Sequence, residues 1–344
     1  MKTLLRRSFY VIVIFNMYTT LAISQLDSLI TITGSADFYF RSNLNGDNNP
    51  ESRATMAPQT SFANLPGFSL GMANVIASYD TDKVGFVADF VFGPRGTEAV
   101  FGSSGSQNII NQLYGYLNLS DKVKVTLGNF NTFLGYEVIS PTGNFNYSTS
   151  YMFSYGPFSH SGLKVDFDLG SGFSAMGGIF NPTDATDFNP TGEFFYGGQL
   201  GYSNDNGGAW VNLLTDGDFV QVDLTTGWNA TEKLYVGLNA TTASDNFDGV
   251  AGYVQFSTSE ALTLGVRLEY FEDRGLGLLL GEDSEMESVT DITFSANYKI
   301  GNLVLIPELR VDMYSRSDLI VVDGVTGETG DNLSSFLLAA VYAF

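Results

Sequence analysis

Ionisable side chains of both signs recur at every second position within otherwise apolar segments of this 344-residue sequence. In segments 164–168 and 308–312, charged residues alternate with Val, Phe or Leu. Facing rows of such charges can form a polar constriction that selects solutes by charge and size. They can equally form ion pairs that only keep a wide lumen open, and both alternatives stay open. The candidate pore-lining residues are Asp37, Lys83, Asp89, Lys124, Lys164, Asp166, Asp168, Asp223, Arg267, Glu269, Glu308, Arg310 and Asp312.

The single histidine, His160, lies between two serines, so a serine hydrolase site has to be considered. Neighbouring residues of a strand point to opposite faces, and neither serine is therefore expected to face the imidazole ring. Cysteine is absent, which leaves no His/Cys cluster for a transition metal. Segment 245–249 is rich in Asp but lacks the spacing of an EF-hand. We expect no enzyme activity, no metal site and no cofactor.

These candidate residues depend on a strand pattern that runs through the whole chain. In segment 220–226 apolar and polar residues alternate, which is the period of a β-strand with two different faces. Most such segments have about 8 to 13 residues, close to the ~9–11 that cross a bilayer at a tilt. A soluble sandwich would show the same alternation. The sixteen segments are 29–41, 67–79, 83–92, 111–119, 122–130, 161–169, 172–180, 194–203, 207–214, 219–228, 232–243, 248–257, 261–272, 288–299, 302–313 and 333–344.

The connections between these segments favour a membrane barrel. Every second connection is tight, for example 120–121 and 170–171, and most of the others are longer. Short periplasmic turns opposite longer outer loops are typical of transmembrane barrels. We therefore predict an all-β fold, a transmembrane antiparallel barrel of about sixteen strands. The four-residue connection at 215–218 leaves the count open by two strands.

The two ends of the chain fit export to an outer membrane. Three basic residues precede an apolar run at 9–15, and small residues at 22 and 24 suit cleavage before Gln25. The alternative, a membrane anchor, would need about 20 apolar residues. We predict a cleaved signal peptide at 1–24 and one barrel domain at 25–344. The chain ends on an apolar face with Tyr342 and Phe344, which we interpret as the insertion signal read by the barrel-assembly machinery.

The charge is strongly negative, with 37 Asp plus Glu against 16 Lys plus Arg. Such a chain will not bind nucleic acid and will attract cations. The acids concentrate in the long connections, for example at 282–287. One interpretation is solubility and bridging to lipopolysaccharide through divalent cations. The other is a mouth that concentrates cations and repels anions, and the two are compatible.

Segment 131–160 is long, aromatic and nearly uncharged, so it should pack against the protein rather than project into water. Folding into the barrel as a constriction loop is the prediction; a cap across the outer rim is the alternative. Its motif resembles the signature of the OmpL-like group of outer-membrane β-barrel porins, common in Bacteroidota, with Ser161 where Thr is usual. The motif residues that carry the resemblance are Gly135, Tyr136, Glu137, Pro141, Asn144, Tyr147, Pro157, Phe158 and His160.

The resemblance implies a multi-pass porin of the bacterial outer membrane that passes small hydrophilic solutes by diffusion. The acidic mouth is expected to bias passage toward cations or neutral solutes. The alternative is a plugged structural or receptor barrel whose acidic outer loops bind a partner or Ca²⁺. Expected partners are outer-membrane lipid, lipopolysaccharide and the solutes themselves. A homotrimer is expected by analogy with other sixteen-stranded porins.

Overall fold

The computed structural model describes residues 30–48, 60–279, 287–317, 320–323, 326 and 328–344. Sixteen antiparallel strands within them close into one barrel. A separate two-stranded hairpin, β16 (Ile320–Asp323) and β17 (Glu328–Gly330), lies in the connection before the last strand. The barrel strands are β1 (Ile30–Asn43), β2 (Gly67–Asp80), β3 (Val84–Phe92), β4 (Ile110–Ser120), β5 (Val123–Asn131), β6 (Ser159–Gly170), β7 (Phe173–Phe180), β8 (Phe195–Asn204), β9 (Gly207–Thr215), β10 (Val220–Asn229), β11 (Leu234–Ala243), β12 (Phe247–Ser257), β13 (Leu262–Asp273), β14 (Glu287–Ile300), β15 (Leu303–Tyr314) and β18 (Asn332–Ala343).

The predicted all-β barrel of sixteen strands is confirmed, and each predicted segment matches one barrel strand to within two residues at either end. The hairpin β16–β17 was not predicted, because its connection carries no clear alternation. β9 and β10 are separate strands paired from Val220 with Thr215 to Trp228 with Gly207, which settles the count at the short connection between them.

The two ends of the barrel differ in their connections. Connections of two to four residues join the strands at one end, which we call the turn end. At Ser171 and Gly172 both φ angles are positive, 56° and 86°, as a two-residue hairpin turn requires. The opposite end, which we call the loop end, carries the long connections, including 93–109 and 132–158. Both chain termini of the barrel lie at the turn end because the strand number is even.

The outer face of the barrel is apolar. Leu127 in β5 is 63% exposed and Leu200 in β8 is 66% exposed, while the polar residues between such positions point inward. A closed barrel pairs every strand edge, so an apolar outer face is compatible with hydrocarbon. Within the described residues no helix has the length and hydrophobicity of a membrane-spanning one. The predicted signal peptide, 1–24, lies outside the described residues.

The C-terminus closes the barrel. β18 pairs with both β1 and β15. The Phe344 amide donates to the Gly34 carbonyl at 3.0 Å, and the Gly34 amide donates to the Phe344 carbonyl at 3.1 Å. Phe344 and Tyr342 are 60% and 45% exposed on the outside. The last residue therefore contributes to the seam between the first and last strands as well as to the outer face.

Deletion of Phe344 is expected to reduce the amount of folded barrel in the outer membrane severalfold, because it removes two backbone hydrogen bonds from the closing seam and one aromatic residue from the rim. The measurement is the heat-modifiable band of membrane fractions on an electrophoresis gel. The Phe344→Ala variant keeps the backbone and is expected to fall between the deletion and the native chain. Equal yields of all three proteins would contradict a role for this residue in assembly.

Candidate functional site

Loop 132–158 lies inside the barrel. It leaves β5 and returns to β6, and between them it forms a 3-10 turn, Pro141–Gly143, and a short helix, α2 (Tyr151–Tyr155). The helix begins after Ser150, whose hydroxyl accepts a hydrogen bond from the Phe153 amide at 3.1 Å. Hydrogen bonds join the loop to inward-facing residues of β1 and of β10 to β15, which include the wall opposite its own strands.

Two carboxylates of the wall bind the loop through its backbone. Glu308 accepts hydrogen bonds from the amides of residues 147 and 148 at 3.0 and 3.2 Å. Glu269 accepts from the amides of residues 151 and 152 at 2.9 and 2.8 Å, at the first turn of α2. Both carboxylates are buried. These four hydrogen bonds fix the middle of the loop to the wall.

Two arginines bind the carbonyl groups of the same stretch. Arg267 donates to the Ser148 carbonyl at 2.8 Å, and Arg310 donates to the Thr149 carbonyl at 2.7 Å. Arg267 also lies 2.7 Å from Glu137 of the loop and 2.8 Å from Asp291 of β14. Its side chain is fully buried, so the guanidinium is compensated entirely by protein groups.

Tyrosine hydroxyls complete this contact. The Tyr147 hydroxyl donates to Asp37 of β1, and the Tyr151 hydroxyl donates to Asp312 of β15 at 2.8 Å. Burial, reinforced by Asp37, raises the pKa of Tyr147, so the phenol stays a neutral donor. At the start of the loop the Gly135 amide donates to Asp223 at 3.0 Å. The loop is thus bound to the wall along most of its length.

Two other connections cover the loop from the loop end. Helix α1 (Pro94–Ala99) places Arg95 so that it donates to the carbonyls of Ile139 and Tyr147, at 2.9 and 3.3 Å. The guanidinium also lies over the Phe62 ring, 4.4 Å from its centre. In the same connection Glu98 accepts a hydrogen bond from the Phe62 amide at 3.0 Å, and partial loss of hydration raises the pKa of this carboxyl.

The end of the loop is held by the connection that follows β7. Asp184 accepts hydrogen bonds from the amides of Phe158 and Ser159 at 2.9 and 2.8 Å. Burial raises the pKa of Asp184 to about 6, although these hydrogen bonds favour its ionised form. Pro157 lies just before this contact in the chain. Loop 132–158 and the connection after β7 therefore meet where the loop rejoins the barrel.

His160, the second residue of β6, is buried. Its Nε2 lies 2.9 Å from the Thr132 hydroxyl, and its ring packs between Phe133 and Phe180. Within the described residues its Nδ1 has no hydrogen-bond partner. The hydroxyl of Ser161 donates to Asn129, so it does not serve the imidazole. The His160 imidazole ring is therefore packed in the interior at the start of β6.

The structure brings some of the candidate pore-lining residues together and separates others. Arg267, Glu269, Glu308, Arg310 and Asp312 form one buried cluster beneath the loop, each at most 2% exposed. They face the interior but are covered, so in this conformation they are not in contact with water. Asp291, fully buried at the centre of this cluster, was not among the candidates, although it lies on the alternating polar side of its segment.

Asp37 and Asp223 bind loop 132–158, as described above, and the remaining candidates lie on or next to β3, β5 and β6. Asp89 is buried and accepts a hydrogen bond from Asn111 at 2.7 Å. Lys164 and Asp166 form an ion pair of 3.0 Å that is partly exposed. Lys124, Asp168 and Lys83 are exposed, and the last of these lies in the turn before β3 rather than on a strand.

Among the described residues, two cavities lie on the turn-end side of the loop. The larger, about 850 Å³, extends from Pro141 and Asn144 of the loop to Asn302 at the turn end. The smaller, about 460 Å³, is lined by residues of β5 to β8, including Lys124, Asp166 and Asp168. No group of three or more His, Cys, Asp or Glu suited to a metal ion is present in the parts of the chain that the structure describes. The interior thus combines a covered level near the loop with open space below it.

A family model described as "Putative beta-barrel porin-2, OmpL-like" matches residues 29–344. The chain belongs to this porin family. Its membership and its barrel place this porin in the bacterial outer membrane, with the turn end toward the periplasm and the loop end outside. No curated protein matches its sequence significantly.

Solved porin structures share the fold of this porin at low sequence identity. OprB of Pseudomonas putida has a TM-score of 0.62 at 13% identity, covering 95% of this chain and 97% of that one. An anion-selective porin from Comamonas acidovorans has a TM-score of 0.57 at 12% identity, with coverages of 92% and 99%. OmpT of Vibrio cholerae, solved in a trimer form, has a TM-score of 0.56 at 12% identity, with coverages of 92% and 99%. These likenesses establish the fold alone.

Proposed function

We propose that this porin lets small hydrophilic solutes diffuse passively across the outer membrane, with a bias toward cations or neutral solutes. The observation that carries the proposal is a closed barrel with open cavities behind an acidic loop end. Loop 132–158 occupies much of the cross-section at its level and would set the size cut-off. In this proposal the partly exposed charges on β5 and β6 contact the passing solute, whereas the buried arginine cluster holds the loop.

The charge at the loop end supports the cation bias. Asp187, Glu193, Asp218 and Asp245 are exposed there. The basic residues of the described loop-end connections are neutralised or buried: Arg274 pairs with Asp248, Arg316 pairs with Glu287, and Arg95 lies beneath the surface. The described connections at this end therefore carry net negative charge, which would raise the local concentration of cations and lower that of anions.

Neutralising these four exposed acids as Asp→Asn and Glu→Gln is expected to reduce cation selectivity. The measurement is the reversal potential of the refolded porin in a planar bilayer under a KCl gradient. The effect should be largest at low salt and should fade near 1 M, where the Debye length is about 3 Å. The matched control replaces Asp205 and Glu232, which are exposed at the turn end. An unchanged reversal potential in the four-residue variant would refute the acidic entrance.

One observation favours the alternative, a plugged structural or receptor barrel. The charged groups of the buried cluster beneath the loop bind one another and the loop, and this network leaves no open path for solute between them. A demonstrably folded barrel that shows no conductance in the bilayer would support the plugged form, with acidic outer loops that bind a partner or Ca²⁺. A stable open conductance would exclude it.

The proposed assembly follows from the outer surface. The apolar outer face suits contact with lipid and with neighbouring copies alike, so a homotrimer is proposed, tested by the molar mass of the refolded porin in detergent. The exposed acids suit bridging to lipopolysaccharide through divalent cations. The aromatic C-terminus suits recognition by the barrel-assembly machinery.

A further inference from the structure

The larger cavity has an aromatic lining on one side. Trp210 of β9 and Tyr235 of β11 come from the barrel wall, and Tyr136 and Phe145 come from loop 132–158. All four side chains are half-buried, so each retains surface toward the cavity. A volume of about 850 Å³ is in the range of ligand sites, which are typically about 300–1,000 Å³.

Glycines of the wall make room for these rings. A Cβ atom at Gly265 would collide with the Phe145 ring, and one at Gly237 would collide with the Tyr136 ring. Gly208 and Gly227 stand in the same relation to the aromatic side chains of β9 and β11. The rings therefore contact the wall backbone directly, which leaves space in front of them instead of filling the lumen.

Some polar side chains of this cavity have no protein partner. In the described part of the chain, the side-chain amides of Gln255, Asn297 and Asn302 make no hydrogen bond, and Lys299 forms no ion pair. The Oδ1 atom of Asn297 is buried without a partner, which costs free energy unless a donor reaches it. This contrasts with the wall beneath the loop, where the charged groups are bound to protein atoms.

The cavity is nearly uncharged. Lys299 is the one ionisable side chain besides the two tyrosines among its described lining residues. Anionic or cationic solutes would find few opposite charges here. A neutral solute that presents an apolar C–H face to aromatic rings and hydroxyl groups to amides would match the lining.

We propose that this cavity is a binding site for neutral saccharides, with the four aromatic side chains contacting sugar rings and the free amides bonding sugar hydroxyls. The proposal rests on the proposed function, because the saccharide is a solute in transit through the barrel. It names neutral sugars as a substrate class that the acidic loop end would not repel.

The test uses the fluorescence of Trp210. The chain has two tryptophans, and the other, Trp228, pairs with Val236, which is exposed on the outer face. In the full-length porin carrying Trp228→Phe, folded in detergent, Trp210 is the sole tryptophan. Titration with the neutral trisaccharide maltotriose is expected to give a saturable change with a dissociation constant on the order of 1–10 mM. A polyethylene glycol of similar mass, which lacks rings, should give no saturable change.

Substitutions separate the site from general effects on the fold. In the same background, Tyr235→Ala and Asn297→Ala are each expected to weaken binding by about tenfold. Tyr202→Ala, on the outer face beside Trp228, is the matched control and should leave binding unchanged. Heat-modifiable mobility on a gel verifies that each variant is folded.

The outcomes distinguish this proposal from the proposed function, since the titration does not need conduction. No saturable response of a folded, conducting porin would overturn the saccharide site and leave the porin function intact. A saturable response of a barrel without conductance would support the site and overturn diffusion. Equal responses to maltotriose and the polyethylene glycol, or unchanged affinity in both site variants, would also overturn the site.

Discussion

Replacing Arg267 with alanine is expected to destabilise the barrel by about 3–5 kcal/mol and to loosen loop 132–158. The guanidinium compensates Glu137 and Asp291, both buried, and it binds the Ser148 carbonyl. Its loss leaves two carboxylates in a low-dielectric interior. Arg310 remains 3.5 Å from Asp291, so Glu137 loses most. Because the loop would lose one of its central anchors while the Glu308, Glu269 and Arg310 contacts remain, it should become more mobile, and the conductance should rise as the stability falls.

Stability is measured by urea unfolding of the refolded porin, followed by heat-modifiable mobility, and conductance is measured in planar bilayers. The control is Lys164→Ala, which breaks the ion pair with Asp166 whose partners are 23% and 35% exposed. Such a partly exposed pair is worth about 0–1 kcal/mol. If the Arg267 variant were as stable and as poorly conducting as this control, the buried cluster would not be what holds the loop.

Replacing Leu200 with arginine is expected to destabilise the barrel by about 2–4 kcal/mol, since a charge near the middle of a lipid-facing strand is costly. Leu200 lies in the centre of β8 and is 66% exposed on the outer face. The measurement is the urea midpoint of the porin in lipid vesicles. In detergent the effect should shrink, because micelles deform around the charge more readily than a bilayer.

The matched control is Ser174→Arg. Ser174 lies on the neighbouring strand β7, diagonal to Leu200, but it faces the smaller cavity, where an arginine can stay hydrated. Its effect should be well below that of the Leu200 variant. Equal losses in both variants would show that the inner and outer faces have been assigned wrongly.

Much of this fold was predictable because a barrel strand follows one local rule. Barrel strands such as β10 and β15 need polar residues on one face and apolar residues on the other. This period of two is visible in the sequence. Turn chemistry then fixes the connections at the turn end. The residues of the β16–β17 hairpin show no clear alternation, so the hairpin was not predicted.

The arrangement inside the barrel was less predictable, because its contacts join residues far apart in the chain. Glu137 and Arg267 are separated by 130 positions, and no local pattern links them. Alternation identified Arg267 and Glu308 as inward-facing, yet it cannot tell whether water or a loop will cover them. Asp291 obeys the same alternation and could have been found, whereas Arg95 lies in a connection without any period.

Much of the contact between the barrel wall and loop 132–158 is made by the peptide groups of the loop. Glu308, Glu269 and Asp223 accept hydrogen bonds from loop amides, and Arg267 and Arg310 donate to loop carbonyls. Peptide groups are common to every residue except for the missing amide hydrogen of proline. This part of the anchoring therefore does not depend on which side chains the loop carries. Loop side chains that do not contact the wall can be exchanged, and so alter what the channel admits, while these peptide hydrogen bonds are kept.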